Sequence, residues 1–199
     1  MTKKIKIILV VFFIVLVGES FSQPKSNLEI IYNLVDKNVD KLLTKLPHEI
    51  NPFQFHYNSP EAFKSLENKY ILNLSSKGYL KTDSTGKTLV SFSLDEIGIE
   101  YSEPFRDGLL GDYLVKRKIL DKGTFVYTIN ESVKKSDIIE SSYSDTLYYS
   151  DLNLVENANL KFTQGTKPSE PLFESLLEPV IAIGAVIVTI ILLFTVRSK

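Results

Sequence analysis

Residues 88–101 read Thr-Leu-Val-Ser-Phe-Ser-Leu-Asp-Glu-Ile-Gly-Ile-Glu-Tyr, and their alternation decides the fold. Side chains on a strand point to opposite faces in turn, so Val90, Phe92 and Leu94 share one face. Ile97, Ile99 and Tyr101 continue the pattern one residue out of phase. A phase change inside a run predicts one long strand carrying a bulge near Asp95-Glu96. Ser84-Thr85-Gly86 supplies the turn before it. Downstream, 112–120 and 124–130 read as two strands joined across Asp121-Lys122-Gly123, a three-residue hairpin loop. Residues 147–155 fit either an edge strand or a short helix.

Upstream the period changes from two to between three and four. Ser26-Asn27-Leu28-Glu29 has the spacing of a capping box, in which Ser26 accepts from the Glu29 amide. Leu28, Ile31, Leu34, Val35, Val39, Leu42, Leu43 and Leu46 then mark one face of an amphipathic helix that ends before Pro47. Residues 51–57 form a short extended candidate. Ser59-Pro60-Glu61 opens a second helix whose apolar face runs Phe63, Leu66, Tyr70 and Leu74, with Gly78 as a left-handed cap. The order helix, strand, helix, meander predicts an α+β layer: two helices packed on a mainly antiparallel sheet.

Both ends of the chain are apolar. Lys3, Lys4 and Lys6 precede the run 7–17, and Ser20-Phe21-Ser22 places small residues at −3 and −1 from Gln23; these are the parts of a signal peptide over 1–22. Eleven helical residues reach only ~16 Å, short of a ~30 Å hydrocarbon core. At the other end, 180–196 carries polar side chains only at Thr189 and Thr195, and Pro179 suits a first helical turn. This is read as one C-terminal transmembrane helix. Glu170, Glu174 and Glu178 precede it and Arg197 and Lys199 follow, so the tail 197–199 stays inside and the domain lies outside. An uncleaved leader would keep its lysines inside too, so both versions export the middle. The expected division is therefore a leader, an exported domain over 23–156, a flexible tether over 157–179, the span and the tail. The tether holds Gln164-Gly165, Pro168, Pro171 and Pro179 and would reach roughly 25 Å as a free coil.

Composition narrows the chemistry. The 199 residues carry 23 basic and 24 acidic side chains and no cysteine. Removing the three N-terminal lysines, Arg197, Lys199 and Glu19 leaves the exported part at 18 basic and 23 acidic, a net −5. That charge excludes a nucleic-acid binder and gives no attraction to anionic headgroups. Without Cys there are no disulfides, thiolate metal sites, thiol catalysis or lipid-bearing cysteine. Gly86-Lys87-Thr88 lacks the upstream glycine of a phosphate loop, since Lys81 stands there, and leads into a strand; it reads as a turn. His48 and His56, even with Glu49, fall short of three converging zinc ligands. There is no GxSxG elbow. Glu96 and Glu100 share a strand face about 13 Å apart, too far for a glycosidase pair, and with Glu103 read as a solvated face. Asn73-Leu74-Ser75 and Asn130-Glu131-Ser132 match the glycosylation sequon without further support. No catalytic residue, cofactor or small-molecule cofactor site is assigned.

Aromatic residues stand out: ten Tyr and twelve Phe, with no Trp. Tyr143, Tyr148 and Tyr149 lie in a Ser/Asp-rich stretch and are the candidate partner-binding residues, exposed tyrosines being suited to recognition.

The leader ending before Gln23, the abundance of Lys, Ile and Asn, and the lack of Cys resemble an envelope protein of a Bacteroidota-type bacterium. Phe63, Leu66, Tyr70, Leu74 and Gly78-Tyr79, leading from helix to strand, are similar to the small α/β domain of the TolB N-terminus and of the lipoprotein activators of peptidoglycan synthases. The similarity covers about 26–130. It departs in lacking a lipid-bearing cysteine and adding a C-terminal span. The resemblance implies a non-catalytic docking part.

Three readings follow. The first is a single-pass inner-membrane protein that holds a non-catalytic domain in the periplasm and binds an envelope protein partner. The second is an enzyme acting on cell-wall or surface polysaccharide. The third is a membrane-assembly subunit acting through its span, where Gly184 and Ala185 allow close approach without a GxxxG.

Overall fold

The computed structural model describes residues 23–80, 88–106, 108, 111–171 and 174–196, with the side chains of the last helix described over 180–194. The leader, the turn at 84–86 and Gly86-Lys87 lie outside the described residues. Helix α1 spans Asn27–Lys45, a 3₁₀ turn follows at His48–Ile50, and β1 is Gln54–Asn58. A 3₁₀ segment, Glu61–Leu66, leads into helix α2, Glu67–Ser76. Strands β2 (Thr88–Tyr101), β3 (Phe105–Arg106), β4 (Tyr113–Ile129) and β5 (Ser132–Tyr148) complete the sheet. Helix α3 is the short Leu152–Val155, and α4 is Glu174–Val196.

The sheet is mixed. β1 runs parallel to β2; β2 and β5 flank β4 antiparallel, and β3 pairs with β4 beyond the end of β2. The β2 register shifts between Leu94 and Glu96, which confirms the bulge read from the phase change. Helix α1 lies across β4 and β5, and α2 packs against α1. One sheet face therefore carries the core and the other faces solvent: Val115, Ile119, Phe125 and Tyr127 are buried, while Lys116 and Lys118 between them are exposed. Ser26 Oγ accepts from the Glu29 amide at 3.2 Å, starting α1. Gly78 takes φ +75° and stops α2, its N–H donating to Ser75 O at 2.9 Å.

Two expectations need correction. Asp121-Lys122-Gly123 is no hairpin loop: β4 runs straight through it, and Asn130-Glu131, with φ 51° and 65°, makes the turn to β5. The turn chemistry at 121–123 yields to packing. Positions 115, 117, 119, 121, 123, 125 and 127 keep strict alternation on the buried face, and Gly123 lies beneath the Phe92 ring. A Cβ there would meet that ring and lie 2.6 Å from Ser93 O. The expected tether also begins later than 157. Phe162 and Thr163 are buried, and Thr166 bridges Glu100 of β2. The segment 147–155 is both things proposed for it, the end of β5 and then helix α3.

Helix α4 presents bare apolar side chains. From Val180 to Phe194 its large residues are 50–73% exposed. Among the described residues no helix is long and apolar enough to cross a membrane; residues 180–194 alone measure ~22 Å.

Gly123→Ala should destabilise the domain by about 1–3 kcal/mol through overpacking against Phe92 and β2. Urea unfolding followed by tyrosine fluorescence checks this; an unchanged midpoint would contradict the close packing.

Candidate functional site

Period-two alternation places Arg117 of β4 on the core face, between Val115 and Ile119, and its side chain is 0% exposed. A buried guanidinium is costly unless its donors are matched. Here Nε donates to Asp145 Oδ1 at 2.9 Å and Nη2 to Asp145 Oδ2 at 2.6 Å. Nη1 donates to Lys25 O at 2.9 Å and to Asn27 Oδ1 at 2.7 Å. The planar fork suits such bidentate pairing.

The network continues through Asn27. Its Nδ2 donates to Tyr101 Oη and to Thr163 O, both at 2.8 Å. Tyr101 donates to Glu156 Oε1 at 3.2 Å, and the same oxygen accepts from the Gly165 amide at 2.9 Å. Lys167 pairs with Glu156 Oε2 at 3.1 Å. Burial pushes the Tyr101 phenol up to about 12, with Asn27 opposing and Glu156 adding to the rise. Arg117 thus ties the start of the domain, three strands and the 156–167 segment together.

In front of this network lies a cleft of about 660 Å³ at the C-terminal end of β5. Leu114, Asp145, Leu147 and Tyr148 line it from the sheet; Gln23-Pro24, Asp112, Asp151 and Leu154 line its other sides. Leu154 is 74% exposed and Tyr148 38%. Asp145 is neutralised by Arg117, whereas Asp112 and Asp151 have no ion-pair partner among the described residues.

The three candidate tyrosines do not form one patch. Tyr148 is exposed and lines the cleft. Tyr143 packs on the main core and donates to Asp145 Oδ2 at 3.4 Å. Its partial burial and the Asp145 charge push its phenol up. Tyr149 packs on a small second core of Val115, Leu147, Leu152 and Val155 and donates to Pro168 O at 3.4 Å. Sequence reading missed Arg117, Asp145 and Leu154. The signal for Arg117 was a charge at an apolar-phase position of β4.

His48 sits on the 3₁₀ turn after α1 and His56 is exposed on β1. Among the described residues no group of three His, Asp or Glu side chains could hold a metal. Glu96 and Glu100 are exposed opposite Lys122 and Lys118, the solvated face expected of them.

The chain matches no protein-family model and no curated protein. Among the solved structures similar to part of it are two lipoproteins. Rare lipoprotein B of Shewanella oneidensis is 13% identical over 48% of this chain and 68% of its own, with a TM-score of 0.33. A minor lipoprotein of Acinetobacter baumannii is 13% identical over 57% of this chain and 82% of its own, with a TM-score of 0.32. Both are lipoproteins by name. Likenesses at this level carry nothing further about this chain.

A second buried polar group lies deeper. Asp121 is fully buried; its Oδ2 accepts from Tyr70 at 3.5 Å and its carbonyl from Asn38 Nδ2 at 3.2 Å. Asp121 Oδ1, Asn38 Oδ1 and Ser141 Oγ have no partner among the described residues. A carboxyl proton gives this cluster a further donor beside the Ser141 hydroxyl. Burial pushes the Asp121 carboxyl from 3.8 up to about 7, against the lowering effect of Asn38 and Tyr70. Burial, then the Asp121 charge, also raises the Tyr70 phenol.

A raised carboxyl favours the folded state while it holds its proton. The Asp121 contribution to stability should be full below about pH 4 and be lost as pH rises through about 7, by roughly 4 kcal/mol in all. Asp121→Asn keeps a donor without the charge, so it should flatten this profile and stabilise the domain at pH 8. Urea midpoints across pH measure it; a profile for the variant that runs parallel to the parent's would contradict the assignment.

Proposed function

We propose that this chain is a membrane-anchored, non-catalytic domain that docks an envelope protein partner outside the cytoplasmic membrane. On this reading the leader exports residues 23–171, helix α4 anchors them, and the tail 197–199 remains cytoplasmic. The observation that carries it is the bare apolar surface of α4, whose described large side chains are at least half exposed. Each such side chain gains roughly 1.5–3 kcal/mol on leaving water. Within α4 the apolar stretch 180–196 holds 17 residues, about 25 Å and the short end of the range for a helix spanning a ~30 Å hydrocarbon core. Arg197 and Lys199, after the apolar run, support the inside position of the tail.

A catalytic reading has one observation in its favour, the carboxylates of Asp112, Asp145 and Asp151 around one cleft. It fits less well. Both Asp145 oxygens are engaged by Arg117, so only Asp112 and Asp151 are left to serve as the acid and the base or nucleophile of a glycosidase. Tyr148 and Leu154, exposed beside that cleft, suit a protein contact better.

Protease added outside spheroplasts should digest the domain and leave a small fragment holding α4. Survival of the domain until the cells are lysed would place it inside and overturn this reading.

A further inference from the structure

The sheet has one long edge whose main chain is only half covered. At β5, Ile138 N–H bonds to the Asp137 carboxylate at 2.8 Å and Ile138 O accepts from Lys45 Nζ at 2.9 Å. Glu140 O accepts from Lys41 Nζ at 2.5 Å. These groups therefore point away from β4. The β4–β5 register runs unbroken from Tyr127↔Lys135 to Leu114↔Tyr148, so every second residue after Glu140 points the same way. A check comes from β4: Lys116, opposite Thr146, spends its N–H and C=O on Ser102. The outward groups of Ser142, Ser144, Thr146 and Tyr148 have no partner among the described residues.

The two halves of this edge differ in protection. Around Ile138, lysines from α1 cap the carbonyls, and Lys134, Lys135 and Glu140 charge the strand. Exposed edges are ordinarily blunted in this manner. From Ser142 to Tyr148 the only charge is Asp145, which turns inward to Arg117. This bare stretch runs into the 660 Å³ cleft, where Asp112 and Asp151, without an ion-pair partner among the described residues, stand beside Leu154 and Tyr148.

We infer that the open edge of β5 at 142–148 takes an extended segment of the partner as an added strand, with a Lys or Arg side chain of that segment held in the cleft by Asp112 and Asp151. Main-chain bonds along an edge give affinity and a side-chain pocket gives selectivity. The edge supplies the binding, and the two carboxylates choose the side chain. Among the described residues no basic side chain lines the cleft, so a cation with an apolar stem meets complementary charge at its tip and Leu154 and Tyr148 along its length. This rests on the docking reading above and names its surface.

The test is photo-crosslinking of the full chain in living cells, with a benzophenone amino acid placed at Leu154 on the cleft or at Leu72 on α2. Leu72 is exposed and lies away from the cleft. The expected result is a crosslink from position 154 and none from 72, mapped by mass spectrometry to a segment containing Lys or Arg. Its yield should fall about fivefold or more with Asp112→Asn plus Asp151→Asn. Thr146→Pro, which removes only an outward N–H, should do the same, and circular dichroism of the purified variants confirms that they fold. A crosslink from 72 alone overturns the edge site while leaving docking intact. A crosslink from 154 to a second copy of this chain, or one indifferent to these substitutions, also overturns it. Silence at both positions removes the docking reading itself.

Discussion

A charge held where water cannot reach it organises this domain. Arg117 stands on the core face of the central strand, and a guanidinium placed there is tolerated only if the chain surrounds it with acceptors. Asp145 of β5 supplies a carboxylate, and Lys25 and Asn27 supply two more oxygens. The acceptors come from two parts of the fold, β5 and the start of α1. Satisfying one side chain therefore fixes where α1 starts, how β5 sits beside β4, and, through Asn27 and Tyr101, where the 156–167 segment returns.

This arrangement bears on how an anchored domain would work. The polypeptide enters the fold at Lys25 and begins to leave it after Lys167, and both places are joined to the same network. A pull on the tail is resisted by the sheet rather than by a loop. The cleft at the end of β5 borrows Asp145 from this network, so its floor is held by the same bonds. Asp121, farther along β4, has the opposite character: it is buried with too few donors, and its carboxyl is stable there only as the acid.

The fold class was legible because it rests on periodicity. The phase change between Leu94 and Ile97 located the bulge, and the apolar repeat from Leu28 located α1. Local turn chemistry misled at Asp121-Lys122-Gly123, where a buried position and a close approach to Phe92 outweigh the preference of Asp and Gly for turns. The true turn, Asn130-Glu131, carries no glycine. The segment after 157 looked like a tether because it holds Gly165 and three prolines and shows little periodicity, yet Phe162 and Thr163 are buried against α1 and β2. The cleft was only partly visible. Tyr148 was singled out for being aromatic in a polar stretch, whereas Tyr143 and Tyr149 turn out to pack inward. An open strand edge leaves no trace in composition, because it is defined by which neighbour is missing.

The central claim is that distant residues share one network, and a double-mutant cycle tests it most directly. Arg117 and Glu156 do not touch; they communicate through Asn27 and Tyr101. Urea unfolding of the full chain in micelles would be measured for Arg117→Met, Glu156→Gln and the pair. The account predicts a coupling energy of about 1 kcal/mol or more, the mark of a shared network. Additive losses, within about 0.3 kcal/mol, would show two unrelated contacts and contradict it.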